Sequence, residues 1–200
     1  MAISLDFDDT GKLYVVTSQY VSKEIPGSGR GQKKDLALTR VMSLWTQDEM
    51  EDWIGQPIYG AGPDSLSWVL GPHLLIDGGR LIVAFNEKAE QHVFEYDFVI
   101  ISSNDGGVTW TEDVRIPREN NDYISAEMHH DANGVIYFPG RTLIGGIETT
   151  VLNITDSWFF NWLSLSLPGF GSIRSMTSNA DGLSASFIPG ENNCNVAFIE

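Results

Sequence analysis

Apolar and polar side chains alternate in short runs along most of the 200 residues, and the runs are broken by recurring Asp/Asn-Gly turns. Period-two alternation is the mark of a strand, because successive side chains leave a pleated chain on opposite sides. Four segments fall into register on their glycines: Leu5 to Tyr14, Leu75 to Ile82, His130 to Tyr137 and Ser178 to Ala185. Each reads strand, turn, strand, since a glycine free to take positive φ followed by β-branched or aromatic positions is what a tight hairpin needs. Helical periodicity is nearly absent, and its one candidate, Asp48 to Ile54, falls on another turn.

A second marker recurs between these hairpins, a tryptophan at a similar offset: Trp53, Trp110 and Trp162. Around the middle one, Ser103, Asp105, Gly107, Thr109 and Trp110 fit the pattern S-x-D-x-G-x-T-W. Asp and Ser oxygens bond the turn's own N–H groups, Gly supplies positive φ, and Trp covers the hairpin with apolar surface. This octapeptide resembles the Asp box (BNR repeat) of sialidase-like β-propellers, with degenerate copies at 46–53 and 155–162. The resemblance implies four-stranded antiparallel blades in which the glycine hairpin joins the first two strands and the Asp box the last two. A single propeller-like domain over 1–200 is then divided into blades at about 1–60, 62–117, 118–168 and 169–200. The last stops after three strands, giving about 3.75 blades, four-bladed or incomplete, with a β-sandwich as the alternative. An incomplete array leaves strand edges and apolar flanks that call for protein partners or self-association.

Composition narrows the partners. With 42% apolar and 11% aromatic residues the chain can bury a core, and a formal charge of −15 argues against a nucleic-acid partner. The single cysteine, Cys194, excludes an intrachain disulfide. No run of about 18 apolar residues marks a membrane helix, so membrane insertion is not expected. No signal peptide is visible at Met1 to Asp9, so the location is unknown from sequence, with a virion or the cytoplasm as the expectations and export needing another route.

In the propeller arrangement the ligand face is built from the other set of loops. One of them carries Lys23, Arg30, Lys33 and Lys34, four of the chain's 12 basic residues. Arg30, Lys33, Lys34 and Arg141 are therefore the candidates for meeting a ligand or partner. The sialidase resemblance implies three arginines converging on a carboxylate, a Tyr nucleophile assisted by a Glu, and an Asp acid/base, and its positional candidates here are Arg118, Tyr123, Glu127, Arg141 and Arg174. Arg115-Ile116-Pro117 resembles the family's R-I-P tripeptide but falls on a last strand, so no catalytic role is carried over to it. His129 and His130 lie on opposite faces of a strand and cannot both ligate a metal, and the Asp6, Asp8, Asp9 run lacks the spacing of a calcium loop. Neither metal nor cofactor is expected. Trp45, Trp68, Trp158, Phe159, Phe160 and Phe170 are assigned to the core rather than to a sugar-binding surface. The reading that follows is a non-enzymatic binding or assembly module, such as a phage tail or virion appendage, with a sialidase-like glycoside hydrolase or a lectin-like glycan receptor binder as alternatives.

Overall fold

The structure is a computed structural model that describes residues 1–25, 35–47, 50–60, 68–88, 96–117, 123–131, 133–167, 173–179, 182–187 and 196–199. The Asp48–Glu49 pair, Phe170, Cys194 and the basic residues Arg30, Lys33 and Lys34 lie outside them. Every regular element among the described residues is a strand. The first sheet orders β1 (Ala2–Phe7), β2 (Leu13–Ile25), β3 (Asp35–Gln47) and β4 (Trp53–Tyr59) side by side. The second does the same with β5 (Trp68–Asp77), β6 (Arg80–Lys88), β7 (Asp97–Ser103) and β8 (Thr111–Ile116). In the third, β11 (Val135–Ile144) is flanked by β12 (Ile147–Asp156) and then β13 (Trp162–Leu167) on one side. On its other side it takes two short strands, β9 (Tyr123–Ile124) and β10 (His129–His130). The fourth sheet contains β14 (Ile173–Asn179), β15 (Gly182–Phe187) and β16 (Val196–Ile199). Every pairing among the described residues is antiparallel and successive stretches of the chain form successive sheets, an all-β, propeller-like array.

The sheets stack flank to flank, and alternation decides which residue faces which neighbour. In β6, Leu81, Val83 and Phe85 pack toward the first sheet with Val16, Met42 and Leu44, whereas Ile82 and Ala84 pack toward the third with Ile136 and Phe138. The third and fourth sheets meet through Leu152 and Met176. Inner strands touch across the joints, β1 against β5 and β10 against β14. Ser4 and Asp6 of β1 accept the main-chain N–H groups of Leu74 and Ile76 at 2.9 and 2.8 Å. The joint between the first two sheets is closed further out by Arg115, which bonds Glu87 at 2.8 Å, Asp97 at 2.9 Å, Glu112 at 2.8 Å and the Tyr59 hydroxyl at 2.9 Å. Burial, with Glu87 beside it, pushes the Tyr59 phenol up to about 12. Arg115 thus braces this joint.

Aspartates shape the turns at one end of the array. The Asp105 carboxylate accepts the Thr109 N–H and hydroxyl and the Ser103 hydroxyl, while the Trp110 indole bonds the Gly107 carbonyl at 2.9 Å. Those bonds, the Thr109 hydroxyl foremost, hold the Asp105 carboxyl down at about 2. Asp8 and Asp131 repeat one device seen only in the structure: each accepts N–H groups two and four residues on, and a Tyr six residues on, Tyr14 or Tyr137, donates its hydroxyl. Asp156 caps the same two N–H positions, and Phe159 stands at φ 62° where Gly11 and Gly134 stand in the other two. Of the aromatic residues assigned to the core, Trp45, Trp68, Trp158 and Phe160 join none of the core clusters of the described residues, and two of them are exposed. Trp158 is 59% and Phe160 84% exposed, because they flank this turn outside the sheets; only Phe159 packs against the core. Trp45 lies half-buried on the outer face of the first sheet over Gly55, and Trp68 meets Tyr20 edge-on.

Trp158 has a different task. Its ring lies 4.6 Å from the guanidinium of Arg80, a buried cation that also bonds Asp113 at 2.9 Å and Ser102 at 2.8 Å, tying the second sheet to the third-sheet turn.

Candidate functional site

At the end of the array away from the Asp turns, the inner strands surround a depression of about 600 Å³, lined by His73, Asn86, Tyr96, Tyr123, Ser125 and Glu127 among others. Volumes of this order are typical of ligand sites. The local sequence explains how these groups arrive. Pairing of β5 with β6 shifts register between Leu70 and His73, where Gly71 takes φ 54° and Pro72 offers no N–H, so the strand bulges and delivers the His73 ring to the inner side. From Tyr123 to His129 the chain alternates. Ala126 and Met128 enter the core, so Ser125 and Glu127 turn out of it. Ser125 N–H donates to the Pro139 carbonyl at 2.7 Å, and Gly140 leaves space for the Tyr123 carbonyl, which a Cβ there would meet at 2.7 Å.

Electrostatics divide the depression. The His129 Nε2 lies 3.1 Å from Glu127 Oε1, and this bond holds the Glu127 carboxyl below the usual carboxylate range despite its burial. The His73 ring sits 6.3 Å from that of His129. Burial and then the His129 charge lower the His73 pKa against the opposing pull of Glu127 and Asp6, so it is neutral at pH 7. Its Nδ1 is buried with no hydrogen-bond partner. Among the described residues no set of three His, Cys, Asp or Glu side chains is placed to hold a metal ion.

The sequence candidates divide accordingly. Tyr123, Glu127 and Arg141 meet around a recess of about 130 Å³ that opens beside the depression, with Ile173 of β14 on its far side. Tyr123 and Arg141 are register partners across β9 and β11. Arg141 donates to Glu148 at 2.8 Å, both side chains being exposed. Arg118 and the Arg174 side chain lie outside the described residues, as does the basic loop. His129 and His130 do face opposite sides, and His129 is committed to Glu127. His73 and Ser125 were not found from sequence; the Gly71-Pro72 pair inside an apolar run was the available signal for the first. A third space, a lateral groove of about 480 Å³, runs between the outer strands of the second and third sheets and shares Tyr123 and Arg141 with the recess.

No family model matches the chain, and no curated protein matches it. Solved structures do. Zg3597, a family 117 glycoside hydrolase from the marine bacterium Zobellia galactanivorans, superposes with a TM-score of 0.62 at 14% identity over 98% of this chain. CtGH43, an α-L-arabinofuranosidase from Clostridium thermocellum, does so with a TM-score of 0.52 at 12% identity, also over 98%. The chain spans 65% and 66% of the length of those two proteins. At such identities the likeness is one of fold.

Proposed function

We propose that this chain is a carbohydrate-binding propeller module that takes glycans at the inner depression. The observation that carries this reading is the convergence of Tyr123, Glu127 and Arg141 with His73 and Ser125 at one end of the sheets. An aromatic face, a carboxylate acceptor, a guanidinium and a hydroxyl together match the apolar faces and hydroxyl edges of a sugar. The fold it shares with two glycoside hydrolases adds support. We favour binding over hydrolysis because both the two-carboxyl mechanism and the Tyr-nucleophile mechanism of the sialidase resemblance call for a carboxyl acid/base in addition to a Glu. Among the described lining residues Glu127 is the single carboxyl, its pKa held down by its bond to His129.

Calorimetric titration with arabinose-terminated oligosaccharides, chosen from the arabinofuranosidase likeness, tests the proposal. Binding should weaken at least about tenfold in Tyr123→Ala, a loss of about 1.4 kcal/mol, with no turnover of 4-nitrophenyl α-L-arabinofuranoside. Turnover abolished by Glu127→Gln would replace binding by hydrolysis, and silence across a broad glycan array would sink the glycan reading altogether. A second reading, assembly with another protein, is favoured by one observation: Ile3, Leu5 and Phe7 lie side by side on the free flank of the first sheet, each more than half exposed. Mass in solution across a concentration series, compared with Leu5→Ser, decides it.

A further inference from the structure

We propose that the lateral groove between the second and third sheets is a second saccharide-binding section, joined to the inner depression past Tyr123, so that the ligand is an oligosaccharide and not a single sugar. This rests on the glycan reading above and specifies its ligand. The groove exists because of a substitution of volume between equivalent positions. On the second sheet, the cross-strand row Phe85, Val99, Arg115 and the adjoining pair Glu87, Asp97 face the first sheet and fill that joint. The corresponding row of the third sheet is Gly140, Val151, Ser166, and the adjoining pair is Thr142, Thr149. Small side chains in the same frame leave about 480 Å³ open against Ile116 and Pro117.

The walls of that space are chemically suited to a sugar chain. Ser164 donates to Asn153 Oδ1 at 2.7 Å, which fixes the amide, and Asn153 Nδ2 reaches the Phe138 carbonyl at 3.4 Å. Ser164 and Ser166 remain exposed, so two hydroxyls face the opening, with the buried Asn153 amide behind them. Trp162, stacked on Phe138 with ring centroids 5.7 Å apart, supplies a rigid aromatic surface. Among the described lining residues there is no carboxylate, and the one cation, Arg141, stands where groove and recess join. A hydroxyl-rich ligand with apolar faces fits this lining, whereas a cationic one does not. Tyr123 walls both spaces, so a chain of sugars can lie across it.

The test is a titration of the whole 200-residue chain with arabinobiose and arabinohexaose, followed by NMR at the Trp162 indole and at the His73 and His129 imidazoles. The hexaose should bind at least about tenfold more tightly than the biose, equivalent to about 1.4 kcal/mol, and should move the Trp162 signal. Ser166→Trp, which fills the groove, should remove that advantage and leave biose affinity unchanged; Ser166→Gln, a smaller change, should reduce it. Imidazole shifts with equal affinities and a silent Trp162 would overturn the groove while leaving the glycan reading intact. No shift at any of the three residues with either probe would overturn both.

Discussion

The joint between the first and second sheets and the joint between the second and third are built on one frame and end in opposite states. Both bury an apolar inner half, with Val83 and Leu44 in one and Ala84 and Phe138 in the other. Their outer halves diverge. Phe85, Tyr59 and the Arg115 ion-pair network close the first, with the Tyr59 and Phe85 rings 4.6 Å apart, whereas Gly140, Thr142 and Ser166 leave the second open. Strand pairing sets where residues stand, and side-chain volume at a few of those places decides whether a joint serves stability or exposes a groove.

The largest expected effect lies in the closed joint. Phe85 is fully buried, and Phe85→Ala should cost about 3–5 kcal/mol in urea unfolding, the usual penalty for emptying an aromatic site. A loss below about 1 kcal/mol would mean that the closed joint collapses freely and that the contrast with its neighbour is not one of packing. Arg115→Met comes next. It leaves Glu87, whose side chain is only 12% exposed, beside Asp97 and the Tyr59 phenol without a cation. Because Arg115 itself is one-third exposed, the loss should be about 2 kcal/mol, below that of a fully buried pair. Restoration by Glu87→Gln in the same chain would show that charge, not the arginine's bulk, sets the cost.

Much of this architecture is legible in the sequence, for a physical reason. Hairpins are local: Asp105 and Thr109 sit four residues apart, as do Asp131 and Val135, so their hydrogen bonds are written in short motifs. What the sequence hides is non-local or breaks the alternation. His73 reaches the depression through a bulge, and a bulge reverses the face that period-two counting assigns. The open groove depends on Gly140, Thr149 and Ser166 relative to Phe85, Asp97 and Arg115, a comparison that requires the strand register. Trp158 and Phe160 read as core by hydrophobicity, yet the capped turn at Asp156 holds them outside it.

Acid should act on both joints through the turns and on the inner end through His73. The Asp105 pKa is depressed to about 2, so its bracing is complete above the ordinary carboxylate range and is lost as pH falls from about 4 through about 2. Asp8, Asp131 and Asp156 are depressed as well, so each also braces its turn above the ordinary carboxylate range and loosens as pH falls below it. His73 acts at higher pH. Its folded pKa lies below the free value of 6.5, so the stability it contributes is present above 6.5 and is lost as pH falls toward the lowered value. A urea midpoint series from pH 7.5 to 5 should decline, and His73→Gln should flatten that part of the curve while leaving the acid limb near pH 3 in place. An unchanged slope in the variant would show that His73 is not the buried neutral group of the inner end.

The smallest expected effect is also the sharpest contrast with Phe85. Ser166 stands, by register, where Arg115 stands one sheet earlier, but its side chain is exposed and faces open space. Placing an indole there by Ser166→Trp fills a void without displacing a packed neighbour, so overpacking strain does not arise. Exposed substitutions of this kind usually stay within about 0.5 kcal/mol. The urea midpoint should therefore hardly move, where Phe85→Ala shifts it strongly. If Ser166→Trp instead costs more than about 1 kcal/mol, a level that overpacked interiors reach, the groove is closed in solution and the second joint resembles the first. If the midpoint holds while the long chain loses its advantage over the biose, stability and recognition are separable within one frame, as the volume difference between the two rows implies.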